Sequence, residues 1–175
     1  MNAFILWLAQ GFGVGRIPFA PGTFGSLFGL LWFALLLMTG NVWLFAAGTI
    51  IGVALAVWSC GAAEKILRQK DPGSVVLDEI AALPICFAGW MGILLVKNDA
   101  WPSPDYFFSK ENWLLTLGVF AAFRFFDIAK PWPVRQSQSL PGGWGVAVDD
   151  VLAALYVSLA TLLIHVAQIV VAHQH

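Results

Sequence analysis

FRFFDIAKPWPVRQSQSLPGGWGVAVDD, residues 123–150, is the stretch from which the rest of the chain can be read. It carries six formal charges, Arg124, Asp127, Lys130, Arg135, Asp149 and Asp150, in a sequence that otherwise avoids charge. Arg124, Asp127 and Lys130 stand three apart, which puts them on one face of a helix that continues that far. Pro131 and Pro133 then stop the helix and stiffen its exit. Gly142, Gly143 and Gly145 allow the backbone to turn sharply or to approach a ligand closely. Asp149 and Asp150 open a long apolar run. Acids and bases held between two apolar segments point to a polar site at a membrane surface.

Composition agrees. Of 175 residues, 59% are hydrophobic and 11% charged, and the mean hydropathy is +0.80. A soluble domain carries about twice that charge. The expected class is therefore an all-α polytopic membrane protein, a multihelical single domain over residues 1–175. Nine Trp and fourteen Phe are available for packing and for anchoring at the interface. A net charge of −1 says nothing about a nucleic-acid partner, no basic run supports one, and none is expected. Cys60 and Cys86 lie in or beside apolar segments and read as buried thiols. The opening MNAFILWLAQ is too short to span a bilayer and lacks the basic flank of a signal peptide, so an interfacial helix is expected there.

About five membrane segments follow from the apolar runs, at 24–39, 42–61, 80–96, 112–126 and 151–172, with Pro84 placed to kink the third. Counting sides gives Arg16, Lys65, Arg68, Lys70, Arg124, Lys130 and Arg135 on one surface and only Lys97 and Lys110 on the other. The excess assigns the first surface to the cytoplasm. Asp78, Glu79, Asp127, Asp149 and Asp150 fall on that same surface. His165, His173 and His175 fall at the far end of the last span and read as interfacial or tail residues.

Five carboxylates close together repel unless cations intervene. Oxygen donors at this density suit Mg²⁺, with Asp78, Glu79, Asp127, Asp149 and Asp150 as the candidate ligands. Arg124, Lys130 and Arg135 are suited to clamp a phosphate. Acids, bases and a metal at a lipid surface fit phosphoryl transfer or phosphate hydrolysis. A plainer reading stands beside this one. Asp78-Glu79 and Asp149-Asp150 each precede an apolar run, where carboxylates favour a helix N-terminus without any ligand. In PGTFGS, residues 21–26, Thr23 reads first as a plain helix N-cap, with an anion site formed by Thr23 and Ser26 at the helix start as the alternative. Ser74 is a further cap candidate, and Pro72-Gly73 is expected to end the helix carrying Lys65 and Arg68.

PGTFGS at 21–26, LDE at 77–79, FRFFDIAKPWPVR at 123–135 and GGWGVAVDD at 142–150 together resemble the bacterial phosphatidylglycerophosphatase A family. The motifs occur in the family's order and reach across residues 11–155. The resemblance implies a Mg²⁺-dependent lipid phosphatase of the bacterial inner membrane. It would hydrolyse phosphatidylglycerophosphate, a phospholipid in the bilayer, to phosphatidylglycerol and inorganic phosphate at the cytoplasmic face. Carried over by position, the site comprises Thr23 and Ser26, Asp78 and Glu79, Arg124, Asp127, Lys130 and Arg135, and Asp149 and Asp150. Thr23, Ser26 and Arg135 would bind substrate. Arg124, Lys130, Asp127, Asp149 and Asp150 would serve catalysis. QSQSLP and Arg16 receive no role.

Other phosphatase designs fit poorly. No DxDx[TV] nucleophile motif is present, and the histidines lie only in the last eleven residues, which speaks against a phosphohistidine intermediate. In-line attack by water at the metal is preferred, with an aspartyl-phosphate route left open. A small membrane transporter is disfavoured because the charges flank the spans rather than interrupting them. A structural membrane subunit would explain the apolar bulk but not the charge asymmetry.

Overall fold

Backbone amides inside an apolar run have no water to bond, so such a run folds as helix. The computed structural model describes residues 1–172, and every regular element among them is helical. Helix α1 (Asn2–Ala9) and a 3₁₀ segment (Gly11–Arg16) lead into α2 (Pro21–Leu37) and α3 (Val42–Leu67). Next come α4 (Leu77–Cys86), α5 (Ala88–Asn98), the short α6 (Pro104–Phe108), α7 (Trp113–Ala129), the short α8 (Val134–Ser137) and α9 (Gly143–Ala172). His173 and His175 lie outside the described residues. The His165 ring packs on Trp90 at 5.4 Å.

Among the described residues, three stretches are long and apolar enough to cross a membrane: Val42–Leu67, Leu77–Asn98 and Gly143–Val171. Of the five expected segments, α2 and α7 have only 17 residues each, short of the roughly 20 that a spanning helix needs. The stretch formed by α4 and α5 is central. In its most apolar window 61% of residues are buried, against 22% and 17% in the other two. Helices α2, α3, α7 and α9 pack around α4. Pro84 lacks the N–H that would continue the ladder, and α4 gives way to α5 at Phe87, shortly beyond it.

The core has two clusters, one beside the charged end around Ala56, Cys60, Val76, Ile80 and Ala147, and an aromatic one toward the opposite end of the bundle. Phe33 stacks on Phe87 at 4.0 Å, and Phe107 meets Phe33 and Trp90 edge-on at 5.1 and 5.0 Å. Trp101 donates its indole N–H to the Leu37 carbonyl at 3.1 Å and closes that end. Outside, Trp43, Ile50, Ile51, Leu114 and Leu163 stand exposed. An apolar exterior of this kind is what a lipid environment accepts.

Small residues let the helices touch. The Gly89 N–H donates to Ser158 Oγ at 2.9 Å, and a Cβ at Gly89 would stand 2.1 Å from the Ser158 carbonyl oxygen. A Cβ at Gly143 would stand 1.7 Å from the Val57 carbonyl oxygen. The glycines of GGWG therefore divide their work: Gly142 turns the chain at φ +57°, and Gly143 brings α9 against α3 rather than against a ligand.

Several boundaries differ from those expected. Helix α9 begins at Gly143 rather than 151, because that contact with α3 tolerates no side chain and carries the glycines into the helix. Asp149 and Asp150 thus sit in its second turn, beyond the first turn to which the macrodipole benefit is confined. Helix α2 begins at Pro21, whose missing N–H suits the first position, and Ala20 precedes it in the left-handed region. Thr23 is therefore inside the helix and is not its N-cap. Ser74 does not cap α4, which follows Val76; its hydroxyl lies 3.4 Å from Gln10 Nε2. Helix α3 ends at Leu67, with Arg68 left-handed after it, before Pro72-Gly73 is reached.

Gly89→Val is expected to lower the thermal unfolding midpoint in detergent by several degrees, the effect of roughly 1–3 kcal/mol of overpacking. Gly118→Val, where a Cβ meets nothing within 4 Å, is expected to leave the midpoint in place. Equal midpoints for the two variants would overturn the close α5–α9 crossing.

Candidate active site

The start of α2, the first turn of α4, the last turn of α7 and the second turn of α9 surround a cavity of about 320 Å³. Ala20, Pro21 and Gly22 line it from α2, Asp78 and Glu79 from α4, Arg124, Asp127 and Ile128 from α7, and Asp149 and Asp150 from α9. Lys130, left-handed just past the end of α7, and Asp71, in the loop before α4, complete the charged lining. Gly22 is shaped to this space. A Cβ there would stand 2.3 Å from Glu79 Oε1 and 3.1 Å from Arg124 Nη2.

The acids form two groups that share Glu79. One follows a chain of ion pairs. Arg124 Nη1 lies 2.8 Å from Asp127 Oδ2 and 3.7 Å from Glu79 Oε1, and it donates to Ser26 Oγ at 3.3 Å. Lys130 Nζ lies 3.5 Å from Asp127 Oδ1 and donates to Asp149 Oδ2. Gln138 Nε2 donates to the same Asp149 oxygen at 3.0 Å. Burial alone would lower the pKa of the Lys130 ammonium. The hydrogen bond to Asp149 and the charges of Asp149, Asp127 and Asp150 outweigh it, and the pKa is raised. Lys130 therefore stays charged.

The second group is Asp78, Glu79 and Asp150, all buried, each offering one carboxylate oxygen within 4.8 Å of the others. Asp78 Oδ1 and Glu79 Oε2 are buried without a hydrogen-bond partner. Buried polar atoms are normally satisfied, and unsatisfied hard oxygen donors grouped this closely fit a divalent cation. The residues present thus suit a metal ion. Asp127 and Asp149, also candidate ligands by sequence, are held by Arg124 and Lys130 and fall outside this triad.

The remaining candidates lie elsewhere. Ser26 is fully buried behind the cavity, donating to the Gly22 carbonyl at 2.8 Å and receiving Arg124. It positions the guanidinium from below. Thr23 is half-buried and does not line the cavity, and its amide is spent on the Ala20 carbonyl at 2.9 Å. Arg135 is exposed on α8, away from the lining. Two lining or supporting residues had no reading from sequence, Asp71 and Gln138. Asp71 has a signal in retrospect, an acid just ahead of the Pro-Gly pair that leads into LDE. Gln138 has none. Arg16, likewise unassigned, donates to Gln10 Oε1 at 2.9 Å and braces the 3₁₀ segment.

Arg124→Leu strands Glu79 and Asp127 in a buried setting and is expected to cost about 3–5 kcal/mol. Arg124→Leu combined with Asp127→Leu is expected to cost less than the sum of the single changes. Chemical denaturation in detergent measures all three variants, and strictly additive costs would remove the ion pair from the account.

Comparison with known proteins agrees with the geometry. The family model described as Phosphatidylglycerophosphatase A matches residues 7–165. Phosphatidylglycerophosphatase A of Haemophilus influenzae is 38% identical over 150 residues, covering 85% of this chain and 81% of the relative. That of Escherichia coli is 31% identical over 151 residues, covering 85% and 76%. A Bacteroides thetaiotaomicron protein, provisionally named a phosphatidylinositol-3-phosphatase, is 36% identical over 154 residues, covering 85% and 86%. No solved structure matches. The chain belongs to the phosphatidylglycerophosphatase A family and is a phosphoric monoester hydrolase.

Proposed function

We propose that the protein is a Mg²⁺-dependent phosphatase that hydrolyses phosphatidylglycerophosphate to phosphatidylglycerol and inorganic phosphate at the cytoplasmic face of the bacterial inner membrane, acting as a single domain. The observation that carries this reading is the meeting of the Asp78–Glu79–Asp150 triad with Arg124 and Lys130 in one cavity. The excess of Lys and Arg on the cavity's surface supports the cytoplasmic assignment. Mg²⁺, when held by Asp78, Glu79 and Asp150, supplies positive charge for the phosphoryl oxygens.

The chain's own residues account for the rest. Arg124 carries a buried Nε with no partner, a donor available to a phosphate oxygen. Lys130, held charged by its acidic neighbours, offsets negative charge on the phosphoryl group as the ester bond breaks. Asp149 Oδ1 is buried, unpartnered and outside the triad. It is the oxygen best suited to take a proton from the attacking water. Ile128 lines the cavity while standing exposed on α7, so an apolar chain can leave the mouth sideways into lipid. Ser26 and Gln138 act on Arg124 and Asp149 from behind. In the cavity, Asp78, Glu79, Asp149 and Asp150 lie within the first two turns of α4 and α9, at one end of the bundle, which keeps the transporter reading in second place.

The Bacteroides relative's name gives a specific reason to vary the head group. Phosphate release by the purified protein in detergent is expected with phosphatidylglycerophosphate and Mg²⁺, to fall sharply with chelator, and to be weaker with phosphatidylinositol 3-phosphate. Asp150→Asn and Asp127→Asn are each expected to fold and to lose most kcat, by roughly a hundredfold or more, because each removes charge used at the transition state. Raised Mg²⁺ should rescue Asp150→Asn and not Asp127→Asn. Arg135→Gln is expected to turn over at near-normal rate. Metal-independent release, or full activity of Asp150→Asn, would refute the proposal.

A further inference from the structure

A second, basic cavity lies beside the acidic one. It is open, about 420 Å³, and is lined by Glu64, Lys65, Arg68 and Lys70 and by the turn at Ser139–Gly142. Lys65 sits in the last turn of α3, Arg68 follows its end and Lys70 stands in the loop beyond. Among the described residues none of these three cations enters an ion pair. The one acid in the lining is occupied, since Glu64 Oε1 accepts the Asp71 amide at 2.8 Å.

The two cavities are neighbours. A space of about 370 Å³ lies between them, sharing Lys70 with the basic cavity and Asp71 and Val146 with the acidic one. Gln138 stands in its wall while bonding Asp149. The formal charge reverses from one cavity to the other. Asp71, Asp78, Glu79, Asp127, Asp149 and Asp150 face only Arg124 and Lys130 at one end. At the other, Lys65, Arg68 and Lys70 face only Glu64.

A phosphate dianion released among unpaired carboxylates is repelled by them, and a cleft of opposite sign next to it lowers the energy of the anion there. Cations at this surface also serve topology. Topology, however, counts residues on a side. It does not require three cations to converge on one cavity with the neighbouring acid turned to a backbone amide.

We propose that the Lys65–Arg68–Lys70 cavity is a second anion site that holds a phosphate group, either inorganic phosphate leaving the acidic cavity or the head group of an anionic phospholipid at the same surface. The proposal rests on the phosphatase reading only for the source of the free phosphate.

The test is binding by the full chain, measured without turnover. One arm titrates inorganic phosphate into protein in an uncharged detergent. The other titrates phosphatidylglycerol in mixed micelles, with phosphatidylcholine as the neutral control. The variant Lys65→Gln/Arg68→Gln/Lys70→Gln is expected to bind about tenfold or more weakly in at least one arm, the loss of a charge-assisted hydrogen bond. The affected arm identifies the source of the phosphate group. The charge-keeping variant Lys65→Arg/Arg68→Lys/Lys70→Arg is expected to bind as the parent does. Unchanged binding by the Gln variant in both arms would overturn the site, and so would equal loss in the charge-keeping variant. A protein that binds in this charge-dependent way but releases no phosphate from lipid would refute the phosphatase reading and leave the anion site standing.

Discussion

Four helices meet at one end of this protein because two cations hold their acids together. Arg124 draws Ser26 of α2, Glu79 of α4 and Asp127 of its own helix into one group, and Lys130 ties Asp127 to Asp149 of α9. The side chains involved in these pairs are only 4–25% exposed. An ion pair in water contributes about 0–1 kcal/mol. Breaking a buried one costs about 3–5 kcal/mol, because a charge is left without compensation. The apolar helices can pack in the bilayer by shape alone, but that packing does not bring carboxylates together against their repulsion. The cations do so, and the end of the bundle is organised by them.

Compensation stops short of completion, and apart from Trp90 Nε1 in the aromatic core the buried side-chain atoms without partners among the described residues lie in the acidic site. Asp78 Oδ1, Glu79 Oε2, Asp149 Oδ1 and Arg124 Nε are all buried without partners. A sequence selected for stability alone would fill such a cavity with apolar side chains or satisfy every polar atom in it. Gly22 points the same way. Any side chain there would fill the space beside Glu79 and Arg124, and the position is left bare. Stability given up locally while the aromatic core around Phe33, Phe87 and Phe107 stays tightly packed is the pattern of a functional site on a firm scaffold.

The helices and the identity of the charged motifs were legible in the sequence, since long apolar runs have few ways to fold and charge is rare in this chain. The allocation of work within each motif was not. Asp78 and Glu79 are neighbours, as are Asp149 and Asp150, and successive residues on a helix point about 100° apart. One member of the second pair joins the triad and the other meets Lys130, a choice set by the rotation of α9 against α3. That rotation is fixed at Gly143 by a backbone contact with Val57, 86 residues away in the sequence and silent in composition. Thr23 was read as a cap because hydroxyl residues favour that place, and Pro21 took the helix start instead. Arg135 shares its motif with Arg124 and Lys130, but the turn after Lys130 carries it out to solvent. Gln138 reaches Asp149 only through that same turn, so no local pattern announces it.

Helix lengths add a constraint on where the cavity can sit. At about 1.5 Å per residue, the 17 residues of α2 or α7 rise roughly 25 Å, less than the roughly 30 Å of hydrocarbon in a bilayer. The 26 residues of α3 rise roughly 39 Å, more than enough. Both short helices have one end in the acidic cavity, at Pro21 and Asp127, whereas α3 passes it and ends beside the basic cavity at Lys65. Only residues 38–41 join the end of α2 to the start of α3, so those two ends share a level and the longer α3 carries Lys65 farther out than Pro21. A phosphate ester on a phospholipid would then meet Arg124 and the acid triad without lifting its acyl chains out of the bilayer. Under the phosphatase proposal, the two short apolar helices, which by length alone look like a defect in the membrane fold, would let a buried polar site meet its substrate at head-group depth.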